Sequence, residues 1–407
     1  MTRLGSRKAS QDALTKEDED LKKNEGKKGK VYWKIMAVVA VLSIALNVLA
    51  CFHGFCDWYK LTIYGLISDA LGMITGWIPV AIGELMAYVG VLGLLMGVIL
   101  LVLFPFLRKR AGFRKGIAVY GKSLFMTLLM VFFIYTLNWI IPFRATILQV
   151  KDATERKYSV LELQNVRNHV VNQINDCAKQ VPRDENGSVI YDKKAIVKAV
   201  YASMKAQAKD YPILSGYYPP MKDALYSDFL DWMNIGGYTY PYTMEVTWNK
   251  YCNDLYYPFL LAHESSHHQG YYQENEANFI AFLACTQSED PLVRYAGYYE
   301  IYYYIEGEYK AALYNELGRD KMKEILKQQP NLSAQVIQDR NEALKVSRER
   351  YEADSHPAES LKETSAKVAD VGWSTQGDLL QENGYDGVIK MVLQYYDVKE
   401  GGLESPF

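Results

Sequence analysis

The sequence has little net charge and few residues of the types that usually bind transition metals. Its 45 Lys and Arg residues nearly balance 47 Asp and Glu residues, so the formal charge of −2 gives no indication of a nucleic-acid partner. Five cysteines occur without a CxxC pair, which argues against a cysteine-based zinc site. No collagen-like or solenoid repeat is present. Of only six histidines, three lie within the single stretch LLAHESSHHQGYYQENEANFIAFLAC.

Three long apolar runs predict a membrane domain in the first part of the chain. The runs extend from Ile35 to Phe52, from Trp77 to Phe106 and from Ser123 to Phe143, and each is long enough to cross a bilayer. A long charged tail precedes the first run, so we expect an uncleaved anchor rather than a signal peptide. The lipid bilayer is therefore the first predicted partner.

The distribution of Lys and Arg predicts the orientation of the chain in the membrane. The tail and the loop after the second run are basic, whereas the loop between the first two runs contains only Lys60. We expect the N-terminus to be cytoplasmic and the chain beyond about residue 145 to be extracytoplasmic. The segment from Asp57 to Gly76 has a broad apolar face, which is typical of a helix lying flat on the outer surface.

Three regions follow from these patterns. Residues 1–34 form a cytoplasmic basic tail, residues 35–145 a membrane domain with three spans and an outer interfacial helix, and residues 146–407 an extracytoplasmic domain. Helical spacing of apolar residues dominates the last region, and the stretch from Gly236 to Asn249 is the best candidate for a strand or hairpin. The predicted fold class is mostly α with a small β element.

The sequence His263-Glu264-Ser265-Ser266-His267 matches the HExxH pattern. Residues four apart share one helix face, so both imidazoles reach one ion, and Glu264 lies beside them as a general base. Zinc lowers the pKa of a bound water to about 7, which lets a carboxylate take its proton. Gly270 is a natural C-terminal stop for the helix. The pattern predicts a hydrolytic site with one Zn²⁺ ion.

Two histidines require a third ligand. A third imidazole in the longer pattern HExxHxxGxxH is excluded, because Gln273 stands at that position. A glutamate on a following helix is the other option, and both Glu274 and Glu276 are available. We prefer Glu276, because an apolar helix face follows it and places it in the first helical turn. A His₂Glu site keeps a position open for water, which is the catalytic arrangement.

Four further residues are candidates for contacts around the metal or the substrate. Asn278 is placed to accept a hydrogen bond from a ligating imidazole, or lies on the helix surface. His268 holds substrate, or is a core or solvent-exposed histidine. Glu245, in the predicted hairpin, binds a substrate amine or supports the site. Arg294 binds a substrate carboxylate or forms a structural ion pair.

The HExxH stretch followed by Glu-Ala-Asn resembles the gluzincin peptidases, whose ligands are His, His and Glu. The whole layout resembles a bacterial three-span membrane family filed as a domain of unknown function. That second resemblance rests also on GWIPVAIGELMAY, GGYTYPYTMEVTWN, RYAGYY and GYDGVIKMVLQYYD. It implies a zincin-like domain with His263, His267 and Glu276 as ligands and Glu264 as base. The sequence departs from the family at Ser265-Ser266 and around WSTQGD.

The predicted function is hydrolysis of peptide bonds by zinc-activated water in a membrane-anchored metallopeptidase, with a peptide or protein as substrate. Three alternatives stay open. A non-catalytic sensor or scaffold uses the metal only to fix its structure, a cell-wall amidase shares the ligand set, and a relic site binds no metal. No nucleic acid is expected as a partner.

Overall fold

The computed structural model describes residues 29–354, 356 and 384–400. Most of the predicted basic tail and the stretch WSTQGD lie outside the described residues. The fold is mostly α with one small sheet, as predicted. The helices are α1 Gly29–Leu49, α2 His53–Tyr59, α3 Gly65–Gly76, α4 Ile82–Leu107, α5 Ala111–Tyr135, α6 Ile141–Phe143, α7 Val160–Ala178, α8 Lys193–Ala206, α9 Ser227–Trp232, α10 Tyr257–His268, α11 Glu274–Thr286, α12 Pro291–Gln328, α13 Ala334–Glu352 and α14 Gly384–Glu400.

Within the described part of the chain, three helical rods are long and apolar enough to cross a membrane: Gly29–Leu49, Ile82–Leu107 and Ala111–Phe143. The third rod runs from α5 through a π-helical turn, Thr136–Ile140, into α6. Large apolar side chains on all three rods are exposed, as expected of surfaces that face lipid rather than water. The rods confirm the three predicted apolar elements. The orientation of the chain in the membrane stays a prediction.

The segment between the first two rods, His53–Gly76, joins α2 and α3 through a second π-helical turn; we call it the interfacial segment. One of its faces, which includes Lys60, Tyr64 and Gly72, is buried against the C-terminal region. The opposite face carries exposed apolar side chains, with Leu66 73% exposed and Ile74 66% exposed. This polarity is inverted relative to a helix on a water-soluble protein, because the polar groups are inside and the apolar groups outside.

A three-stranded sheet lies beside helix α10. Its strands are β1 Lys222–Asp223, β2 Gly237–Tyr240 and β3 Glu245–Trp248, in the order β1-β3-β2. The antiparallel pair β2–β3, with Gly237 opposite Trp248, confirms the predicted hairpin, whereas β1 pairs in parallel with β3 and was not predicted. The hairpin turns at Met244, which has a left-handed backbone conformation with φ 54°.

The core of the C-terminal region is built around α10 and α11. Every residue of α10 is buried, and α11 is buried from Glu276 to its end. Helices α7, α8, α12 and α14 pack around this pair. Several tyrosines of α12, including Tyr295 and Tyr309, are buried and belong to this core. All five cysteines are free thiols.

Candidate metal centre

Helix α10 ends in a Schellman motif, which sets the position of the second histidine. The N–H of Gly270 donates to the carbonyl of His267 at 3.0 Å, and the N–H of Tyr271 donates to that of Ser266 at 3.0 Å. Gly270 has φ +99°, a conformation that side-chain-bearing residues rarely adopt. The turn brings the Tyr271 carbonyl back toward the helix, where it lies 2.7 Å from Nδ1 of His267.

Helix α11 begins at Glu274, and a capping box defines its first turn. Gln273 is the N-cap residue, and the Glu276 carboxylate accepts a hydrogen bond from its N–H at 3.3 Å. Glu274 is the first helical residue, so its side chain is rotated by about 200° from that of Glu276. The two carboxylates therefore point to different surroundings.

The side chains of His263, His267 and Glu274 converge on one point. The Nε2 atoms of the two histidines lie 3.1 Å apart. The nearest Glu274 carboxylate oxygens lie 3.3 Å from Nε2 of His263 and 3.6 Å from Nε2 of His267. Ligands of a tetrahedral zinc ion lie about 3.3–3.4 Å from one another, since each is about 2.0–2.1 Å from the metal. The donor set and its separations therefore fit a His₂Glu zinc centre. Among the described residues, this trio forms the group with metal-ligand geometry.

The other nitrogen of each imidazole is held by an oxygen acceptor. Nδ1 of His263 lies 2.9 Å from Oδ1 of Asn278, and Nδ1 of His267 faces the Tyr271 carbonyl. Both acceptors favour a proton on Nδ1, which leaves Nε2 as a lone pair directed at the shared point. Two lone pairs 3.1 Å apart repel one another unless a cation or a proton lies between them.

The protonation of the trio in the absence of metal follows from burial and the single carboxylate. Burial lowers the pKa of His267 to about 4, so this imidazole is neutral at pH 7. Burial also lowers the pKa of His263, but the Glu274 carboxylate outweighs burial and raises that pKa above its ordinary value. A proton on His263 thus occupies the place that a metal ion would take.

Glu264 lies next to this cluster and is almost completely buried. Burial raises the pKa of Glu264 to about 8, and the neighbouring His263 opposes part of this rise. The Thr239 hydroxyl, from strand β2, donates to the main-chain carbonyl of Glu264 at 2.7 Å and lies 3.3 Å from its Oε2. No cation forms an ion pair with Glu264 among the described residues. This carboxylate is therefore available to take and release a proton near neutral pH.

The structure corrects the preferred third ligand. The Glu276 carboxylate does not face the imidazoles; it accepts a hydrogen bond from the N–H of Leu148 at 2.6 Å and lies 3.9 Å from Nζ of Lys60. Burial raises the pKa of Glu276 and lowers that of Lys60, each opposed by the charge of the other. Glu274, the alternative, takes the position beside the histidines.

Three of the remaining candidates lie outside the metal cluster. His268 is fully buried, with Nδ1 2.9 Å from the Met244 carbonyl, and burial lowers its pKa to about 4. Glu245 forms a buried ion pair with Lys222. Arg294 donates to the main-chain carbonyls of Ser288 and Glu289 and forms no ion pair with a described residue, and its predicted substrate role stays a prediction.

Some residues that support the site were not identified from the sequence. Thr239, Lys60 and Tyr64 are distant in the chain from the HExxH stretch, and no local pattern links them to it. The capping box was not evident from the sequence either, because its signature has Ser, Thr, Asp or Asn at the N-cap, whereas Gln273 takes that place here. A recognised capping box would have assigned Glu276 to the helix start and left Glu274 for the metal.

Comparison with known proteins identifies one family. The family model described as Protein of unknown function (DUF3810) matches residues 59–370, more than half of the chain. The matched region includes most of the interfacial segment, two of the apolar rods, the sheet and the complete His263–Glu274 cluster. No curated protein and no solved structure matches the chain.

Proposed function

We propose that this chain, which belongs to the family described as Protein of unknown function (DUF3810), is a membrane-anchored zinc-dependent hydrolase of peptide bonds. The observation that carries the proposal is the cluster of two Nε2 atoms and one carboxylate at separations that suit tetrahedral zinc. The proposed active region is extracytoplasmic, because the basic residues of the loop after the second rod favour the opposite side.

The chain's own residues provide the binding and proton-transfer functions of such an enzyme. His263, His267 and Glu274 would hold the ion, and three protein ligands leave one position for solvent or substrate. Zinc, when bound, supplies a Lewis acid that polarises a carbonyl and activates water. The Glu264 carboxylate takes the proton of the attacking water and passes it to the leaving amine, and the Thr239 hydroxyl, which donates to the Glu264 main-chain carbonyl, holds strand β2 beside that carboxylate.

Glu264 favours a hydrolase over a scaffold with a purely structural metal. Burying a carboxylate without a cationic partner is costly, and a structural zinc site does not require one beside its ligands. In contrast, a hydrolytic site requires a base whose pKa lies near the working pH. Burial raises the pKa of Glu264 toward that range.

The test compares metal content and peptide hydrolysis in the same preparations of the full chain in detergent. We expect wild type to bind about one zinc per chain and to cleave members of a peptide library. Glu264→Gln retains the metal and loses roughly 100- to 10,000-fold of the cleavage rate, because only the proton acceptor is removed. Undiminished cleavage by Glu264→Gln would refute the mechanism.

Two control variants separate the site from general damage. His263→Ala removes a ligand and is expected to lose both zinc and cleavage. Glu349→Gln changes an exposed residue of α13 and is expected to leave both unchanged. Equal zinc in His263→Ala and wild type would eliminate the proposed metal centre.

A further inference from the structure

We propose that the site acts on the membrane-proximal segment of a membrane-anchored polypeptide, which reaches it along aromatic side chains of the third apolar rod. This inference rests on the proposed hydrolase function and adds the class of substrate. Two independent observations support it: the packing of the HExxH helix on a segment whose opposite face is apolar and exposed, and a series of aromatic ring contacts that extends from the third rod to a metal ligand.

The HExxH helix rests directly on the interfacial segment. The Tyr64 hydroxyl donates to the His268 carbonyl at 3.0 Å, and a Cβ atom at Gly72 would lie 2.8 Å from the His268 ring. The opposite face of the same segment carries the exposed apolar side chains of Leu66 and Ile74. One helix layer, about 10 Å, thus separates α10 from the apolar surface.

Three aromatic side chains follow one face of the third rod; we call Tyr135, Trp139 and Phe143 the aromatic track. Their rings are stacked, with centroids 6.0 Å apart for Tyr135 and Trp139 and 6.5 Å apart for Trp139 and Phe143. Each of the three residues is partly exposed rather than fully buried. Eight helical residues rise about 12 Å, which is the length of about four extended peptide residues.

The aromatic track is continuous with the metal centre. The Trp139 ring contacts that of Tyr272 at 4.6 Å, and the Tyr272 ring stacks on His267 at 6.1 Å with an interplanar angle of 23°. An aromatic belt would surround the protein at the membrane–water interface, whereas this series of rings leads inward to the metal ligand His267. The Asn138 amide, within the π-helical turn, donates to the Pro241 carbonyl at 2.7 Å and fixes the rod beside the β2–β3 hairpin.

A peptide that emerges from the bilayer matches this arrangement better than one from solution. Its residues nearest the membrane are apolar or aromatic, and half-open rings at the level of the interface bind such side chains. A peptide from bulk water gains nothing from a surface that is continuous with lipid. The geometry therefore points to an anchored substrate whose scissile bond lies within a few residues of the membrane.

The first experiment measures cleavage by the full chain in proteoliposomes of zwitterionic and anionic phospholipids. A randomised peptide library is presented in three forms: free, attached to a lipid through about two residues, or attached through about 30 Gly and Ser residues. The long linker spans about 30 Å, so both attached forms share the membrane but differ in height. We expect the short-linker form to be cleaved about tenfold or more faster than the long-linker form.

The outcomes distinguish this inference from the proposed function. Cleavage of all three forms at equal rates, or preference for free peptide, would overturn the inference and leave the hydrolase intact. Cleavage of no form by wild type would remove the proposed function and the substrate class together. If wild type prefers the short-linker peptide and Glu264→Gln cleaves no form, the result would support both the hydrolase function and the anchored substrate.

A second readout requires no turnover. The photoreactive amino acid p-benzoylphenylalanine replaces Tyr135 in a Glu264→Gln background, and Met126, 44% exposed on the opposite face of α5, is the control position. After illumination we expect short-linker peptide to attach at position 135 about tenfold more than at position 126. Equal labelling at the two positions would mean that the aromatic track is ordinary lipid-facing surface and would overturn the inference.

Discussion

Two groups of charged and polar side chains differ in how completely their polar atoms are paired within the chain. The first is the metal cluster, His263, His267 and Glu274; the second group consists of two separate buried ion pairs, Lys222 with Glu245 and Lys60 with Glu276. In the metal cluster, Nε2 of His263 and Nε2 of His267 face one another at 3.1 Å, a separation that requires a proton or a cation between them. In both ion pairs, the carboxylate also accepts two or more hydrogen bonds from N–H or O–H groups of the chain.

Glu245 illustrates the satisfied case. Its carboxylate accepts hydrogen bonds from Lys222, from the Thr243 hydroxyl at 2.6 Å and from the N–H groups of Ile82 and Gly83 at 3.0 and 2.8 Å. It thereby caps the second apolar rod, whose first turn presents unpaired N–H groups. A cluster in which every donor meets an acceptor is structural, whereas two Nε2 atoms and a carboxylate that converge on one point indicate a bound cation.

The largest expected effect is a difference in zinc content between variants of Glu274 and Glu276, opposite to the one that the sequence favoured. Glu274→Ala removes one of three ligands, and we expect zinc to fall from about one per chain to below about a tenth after dialysis, measured by elemental analysis. Glu276→Ala leaves the three converging donors in place, so zinc is expected to remain near one per chain. It should instead unfold at a lower temperature, because Lys60 is left buried without its carboxylate.

The opposite result would invert the comparison. If Glu276→Ala lost its zinc while Glu274→Ala kept it, the second helix would have to rotate on metal binding. The HExxH histidines would then remain the site, but with the third ligand that the sequence favoured.

The next effect concerns the capping of the second rod. Glu245→Gln leaves a buried Lys222 without its carboxylate, which we expect to cost about 3–5 kcal/mol and to lower the midpoint of thermal unfolding by several degrees. Glu349→Gln, in an exposed pair 3.7 Å from Lys345, is the matched control and should change little. Similar midpoints for both variants would show that the buried pair does not fix the rod to the sheet.

The same pair predicts a dependence on pH. Burial raises the pKa of Glu245, but donation from Lys222 and the other donors outweighs burial, so the pKa in the folded chain lies below its ordinary value of 4.5. Stabilisation by this carboxylate is then complete above about pH 4.5 and is lost as the pH falls through the lower, folded value. The difference between wild type and Glu245→Gln should therefore shrink on acidification, in a thermal series from pH 7 to pH 3.

The sequence predicted the features of the site that depend on local geometry. The shared face of His263 and His267 follows from helical periodicity, and the stop at Gly270 follows from its tolerance of positive φ. The third ligand depends on where α11 begins, and a shift of one residue rotates a side chain by about 100°. A preference based on the apolar face after Glu276 could not fix that starting residue.

Long-range pairs were outside the reach of sequence patterns. Lys60 was counted only as a charge for orientation, yet it is buried beside Glu276, on a segment far away in the chain. Strand β1 has two residues and is defined only by its pairing with β3. The apolar face of the interfacial segment was predicted, but its buried polar face became visible only with the HExxH helix packed on it.

The smallest expected effect separates two ways of orienting an imidazole. Asn278→Ala removes the acceptor for Nδ1 of His263, so the proton is no longer directed to that nitrogen and Nε2 is a poorer ligand. We expect zinc affinity to fall roughly 10- to 100-fold, measured by competition with a chromophoric chelator. Asn278→Asp keeps an oxygen acceptor at the same position and should bind zinc at least as tightly as wild type. His267 is held by the Tyr271 main-chain carbonyl, which no side-chain substitution deletes, so its orientation persists in both variants. An unchanged affinity in Asn278→Ala would mean that packing within α10 alone orients His263.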